Sequence, residues 1–160
     1  MRITIAAVGR LKRAPEKDLC DDYLKRTTKL GRQAGITGLQ IVEIPESQHA
    51  EASARKAQEA DQLQAKIPPG AKIICLDERG DAKDTAQFSK LVQKHADDGT
   101  QELAFVIGGP DGLEPNFVAS ATNTLSFGRM TWPHRLVRVM LTEQIYRAVT
   151  LMVNHPYHRV

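Results

Sequence analysis

The chain has 160 residues, 41% of them hydrophobic, and a formal net charge of +3, which is enough to bury one core without disulfides or structural metal. No apolar run approaches membrane-spanning length. Residues 3–8 are apolar, but they are too few for a secretory signal and are followed at once by Gly9 and basic residues; with only Cys20 and Cys75 as thiols, a cytoplasmic location is expected.

Residues 2–8 predict a strand ending at Gly9, followed by a basic loop over 10–14. Pro15 suits the first turn of a helix whose loose apolar face is Leu19, Tyr23, Leu24 and Leu30, and Gly31, Gly35 and Gly38 break it. Residues 39–44 read as a second strand that Pro45 stops. Ser47 is placed to cap an alanine-rich helix over 48–65, closed by Pro68, Pro69 and Gly70. A third strand over 72–76 leads into a loop, Asp77 to Gly80. Asp84 with Gln87 resembles a capping box opening a helix through His95, with Phe88, Leu91 and Val92 inward. Residues 103–107 make a fourth, buried strand that stops at Gly108 and Gly109. A short helix follows Pro115, residues 124–127 form a fifth strand, and a final helix runs over 134–153.

Strands alternating with helices predict an α/β fold, a mainly parallel sheet with helices on both faces, in one domain over 1–160. Ligands of such sheets bind beyond the carboxyl ends of the strands, so the loops after Leu76, Ile107 and Phe127 should share one edge. The final helix carries more apolar residues than one stripe needs. Its second side packs either within one subunit or against a second copy of the chain.

Charge is unevenly spread. Lys and Arg outnumber Asp and Glu by 9 to 4 over residues 1–32 and by 5 to 1 over 129–160, while the middle carries 8 against 14. All five cations of the last segment are Arg, the side chain suited to bidentate phosphate contact. Phosphate-bearing partners fit this pattern, as do ordinary surface ion pairs.

Several chemistries lack their signatures. An early GxGxxG and a phosphate loop ending in Gly, Lys and Ser or Thr are missing. No metal site is expected: His155 and His158 have no supporting Cys or His, and His49, His95 and His134 are scattered. No nucleophile elbow is present. By itself, GGPDG fits an ordinary turn or a ligand loop equally well.

The segments ITIAAVGR, IICLDERG, VIGGPDGL, FGRMTWPHRLVRVMLTEQIYRA and NHPYHR closely resemble the bacterial large-subunit ribosomal RNA methyltransferase H family of the SPOUT superfamily. The likeness spans nearly the whole chain, with only pattern supporting it over residues 31–66. It implies a carboxyl-terminal trefoil knot, a homodimer, and S-adenosyl-L-methionine as methyl donor. By position, cofactor contacts fall on Leu76, Gly108, Phe127, Gly128, Arg129, Met130, Thr131 and Trp132. The implied reaction is methylation at N3 of a pseudouridine in 23S ribosomal RNA of the large subunit, on naked RNA or the assembled ribosome.

For that reaction the resemblance makes His158 a base or proton relay and Tyr157 a stacking or hydrogen-bonding group. Arg138 and Arg147 become phosphate or anion stabilisers, and Glu143 orients Arg147. Two other readings stand beside it. One is a knotted methyltransferase acting on transfer RNA or another base; the other is a ribosome-associated binding protein with a nucleotide-sized pocket and no catalysis.

Overall fold

Alternation along the first strand decides how the sheet is covered. In β1 (Arg2–Val8) the side chains of Ile3, Ile5 and Ala7 enter one hydrophobic cluster and those of Ala6 and Val8 the other. β4 (Glu102–Ile107) repeats the pattern, with Leu103, Phe105 and Ile107 opposite Ala104 and Val106, and is buried along its whole length. A strand apolar on both faces needs helices on both, and the computed structural model, which describes residues 1–157, supplies them.

The five strands are parallel in the order β2 (Gly38–Ile44), β1, β4, β3 (Lys72–Ala82), β5 (Asn123–Ser126). On one face lie α1 (Pro15–Gly31), α3 (Thr85–Asp97) and α5 (His134–Met152), where Phe88, Val92, Leu141, Ile145 and Val149 meet the sheet. α2 (Ala52–Lys66) and α4 (Pro115–Ser120) cover the other through Ala60, Leu63 and Phe117. Every predicted element is present, most within two residues of its expected limits.

Two differences are informative. Ser47 does not cap α2, which begins at Ala52 after Glu51. Instead its hydroxyl donates to Gln58 Oε1 at 2.6 Å, and its amide donates to Glu59 Oε1 at 2.9 Å. The segment before α2 is thereby laid along the helix rather than at its end. The third strand does not stop at Leu76: its pairing with β5 breaks after Leu76 and resumes at Asp81. Between them Gly80 passes so close to β5 that a Cβ there would lie 2.7 Å from the Leu125 amide nitrogen.

The capping box appears as expected. Asp84 Oδ1 accepts the Gln87 amide at 2.7 Å, and Gln87 Oε1 accepts the Asp84 amide at 2.9 Å. Asp84→Ala should cost about 1 kcal/mol in urea unfolding, and an unchanged midpoint would mean α3 does not depend on it. Cys75 is fully buried and its burial pushes the thiol up to about 12, as befits a small core residue.

Candidate active site

At the carboxyl ends of β3, β4 and β5 the following loops enclose a cavity of about 700 Å³. Ile107 and Leu125 contribute buried apolar surface, and Leu76, Phe127 and Val137 add partly buried surface. Met130 and Trp132 stay 69% and 38% exposed and form its rim.

The wall after β4 is largely backbone. A Cβ on Gly108 would lie 2.8 Å from the Gly112 carbonyl carbon and 2.9 Å from the Leu113 amide nitrogen, so only glycine lets the loop fold back here. Gly112, at φ +79°, donates its amide to Gly109 O at 3.0 Å and closes the turn. Arg55 of α2 grips the turn from outside. Its Nε donates to Asp111 Oδ2 at 2.6 Å and its Nη2 to Oδ1 at 3.0 Å, while Nη1 donates to the carbonyls of His49 and Ala50. The guanidinium holds the Asp111 carboxyl below the usual carboxylate range.

The opposite wall comes from the irregular part of β3. Burial pushes the Asp77 carboxyl up, but the hydrogen bonds and charge of Arg79 together outweigh it and hold the group below its ordinary value. Ser126 ties this wall to the loop before α5. Its Oγ accepts the Gly128 amide at 3.1 Å and lies within hydrogen-bond reach of the carbonyls of Glu78 and Gly128. A single hydroxyl thus fixes the loop where the chain leaves β5.

Seven of the eight residues expected to contact a cofactor line this cavity: Leu76, Gly108, Phe127, Gly128, Met130, Thr131 and Trp132. Arg129 is exposed and does not line it. Among the described residues, the cavity also takes Asp77, Glu78 and Asp111 from loops expected at this edge, together with Lys56 and His134, which the sequence did not mark as site residues. Lys56 and Arg55 sit in the alanine-rich α2, and nothing in their spacing marks them.

The residues expected to act on the acceptor lie elsewhere. Arg138 is fully buried: Nη2 donates to the carbonyls of Val8 and Gly9, both at 3.0 Å, and Nη1 to Glu43 Oε1 at 2.5 Å. Burial pushes its guanidinium below the ordinary value, against the pull of Glu43. In this environment it supports the loop after β1 and does not reach the surface.

Arg147 and Tyr157 form a second group on the outer side of α5. Glu143 Oε1 accepts Arg147 Nε at 2.9 Å and the Tyr157 hydroxyl at 3.3 Å. The Tyr157 ring meets Tyr146 edge-on at 4.7 Å, with the Arg147 guanidinium 5.2 Å from its centroid. Burial first, then the neighbouring Tyr23 hydroxyl, pushes the Tyr157 phenol up to about 12, so it is a neutral donor at physiological pH. Neither residue lines the cavity described above. Glu143 instead lines a second cavity of about 690 Å³ that shares Leu125, Phe127 and Gly128 with the first. His158 lies outside the described residues.

Among the described residues no group of His, Cys, Asp and Glu is placed to hold a metal ion, and no helix is long and apolar enough to cross a membrane. A family model described as "Predicted SPOUT methyltransferase" matches residues 1–158. The ribosomal RNA large subunit methyltransferase H of Allorhizobium ampelinum is 48% identical over 159 residues, covering 99% of each chain. That of Rhizobium etli is 48% identical over 160 residues and covers each chain completely. Among solved structures, a probable methyltransferase from Bordetella pertussis shares the fold at a TM-score of 0.51 and 14% identity, over 92% of this chain and 95% of that one. Matched along nearly its full length by the family model and by relatives close to half identical, the chain belongs to the SPOUT methyltransferase family.

Proposed function

We propose that this protein methylates 23S ribosomal RNA of the large subunit at N3 of a pseudouridine, using S-adenosyl-L-methionine, as a cytoplasmic homodimer acting on assembled ribosomes. The observation that carries the reading is the cavity beyond β3, β4 and β5, lined by bare backbone at Gly108 and apolar surface at Leu76, Phe127 and Met130. Its size and mixed lining fit one nucleoside-sized ligand. When bound, the sulfonium cofactor supplies an activated methyl group. Leu76, Gly108, Phe127, Gly128, Met130, Thr131 and Trp132 would hold it, with Ser126 and Arg55 fixing the two loops from behind.

What is left for the protein is to orient the base and manage the N3 proton. The acceptor nitrogen begins protonated, so the proton must leave or the developing anion must be stabilised. Tyr157, with its raised phenol, donates a hydrogen bond rather than taking the proton. The resemblance gives His158 as the base or relay, with Arg147 held by Glu143 to stabilise negative charge. Tyr157 and Arg147 do not line the cavity of the same chain, which supports a homodimer in which the tail of a second copy serves each site.

A trefoil knot at the carboxyl-terminal segment belongs to the same reading. The test is incubation of the purified protein with radiolabelled cofactor and assembled ribosomes, followed by mass spectrometry of nuclease fragments. Label on a large-subunit pseudouridine is expected. Label on transfer RNA alone, or cofactor binding without transfer, would overturn the reading. His158→Ala should slow transfer far more than it weakens cofactor binding; equal losses in both would remove its catalytic role.

A further inference from the structure

Resting on the ribosomal RNA reading above, we propose that the loop after β1, with Arg10, Lys12 and Arg13, joins Arg135 of α5 in a phosphate-binding surface beside the cavity mouth, and that buried Arg138 is the positioning residue that holds it there. All four of these cations are exposed, and none has a carboxylate partner among the described residues. Nearby cations differ: Lys17 pairs with Asp21, and Arg26 pairs with Asp22. Lys25 and Lys29 of α1 are also exposed without a carboxylate partner among the described residues, so it is placement that singles out the four.

Placement comes from the first turn of α5. A Cβ on Gly9 would lie 3.1 Å from His134 Nε2, and His134 lines the cavity. Arg138 then draws the loop inward through the carbonyls of Val8 and Gly9. Its partner Glu43 also accepts the Leu11 amide at 3.0 Å. Two backbone carbonyls and one amide are therefore fixed by one buried ion pair, and Arg10 and Lys12 flank the anchored Leu11. Besides Glu43, Glu46 faces this turn, with Oε1 3.5 Å from His134 Nε2 and 3.0 Å from a Cβ on Gly9. A polyanion crossing the mouth would meet positive charge on a loop that is already ordered, which limits the entropy lost on binding.

The test compares wild type with the triple variant Arg10→Ala, Lys12→Ala, Arg13→Ala. Binding of a fluorescent large-subunit ribosomal RNA fragment is measured across a salt series, with S-adenosylhomocysteine binding measured by calorimetry. Removing three phosphate contacts should make the log affinity against log salt slope shallower by about 2 to 3. Affinity at low salt should fall on the order of 10-fold or more, with S-adenosylhomocysteine binding unchanged. The variant Glu43→Gln keeps all the surface cations, and should weaken RNA binding while leaving S-adenosylhomocysteine binding unchanged. An unaltered slope and affinity in the triple variant would overturn the surface, and unaltered RNA binding in Glu43→Gln would overturn the positioning role. A wild-type protein that labels no ribosomal RNA would instead sink the underlying reading, whatever the slopes.

Discussion

Gly108→Ala should nearly abolish cofactor binding while leaving the protein folded. The new Cβ would meet the backbone of Gly112 and Leu113 at 2.8 and 2.9 Å, and backbone cannot move aside as a flexible side chain can. The turn would have to open away from the cavity, against the grip of Arg55 on Asp111. A displacement near 1 Å in a positioning loop costs on the order of 100-fold in rate, and kcat/KM for the cofactor should fall by about that factor. Gly99→Ala is the control. It lies in the turn before β4, at φ +75° with nothing within 4 Å of a Cβ, so it should lose some stability and keep its activity. Equal activity in the two variants would show that the turn after β4 does not shape the site.

Arg138→Ala should be the most destabilising single change among the residues discussed. Its guanidinium is fully buried on Glu43 and two carbonyls, and its Nε has no partner among the described residues. Removing one member of a buried pair typically costs about 3–5 kcal/mol. The Glu43 side chain is 26% exposed and can recover some hydration, which favours the lower end. Urea unfolding would read the difference, and a loss below about 1 kcal/mol would mean that the pair contributes little beyond its own desolvation. Arg138→Met, which fills much of the same space, separates volume from charge: if it matches Arg138→Ala, the pair and not the packing carries the effect.

The alternating strand and helix signals were legible because each is local. Apolar runs bounded by glycine and proline marked the strands, and Asp84 with Gln87 announced its helix through two reciprocal hydrogen bonds that need no tertiary context. Ser47 misled for a related reason. Its side chain found a better partner in Gln58, eleven residues on, than in the helix start, and no local pattern reveals that choice. Likewise, the resemblance assigned Arg138 to the acceptor because a motif records which residue is present and not which way it faces.

Strand and helix order, the two-faced core and the loops that would carry a ligand could all be read from the chain itself, because hydrophobic period and turn chemistry act over a few residues. Which distant groups meet emerges only in the folded molecule. Folding set Arg55 on Asp111 across 56 positions and Arg138 on the carbonyl of Gly9 across 129. It also left Arg147 and Tyr157 outside the lining of the cavity. Such pairings follow from parallel crossovers that bring remote segments to one sheet edge, and the energy selecting them arises only once the sheet has formed.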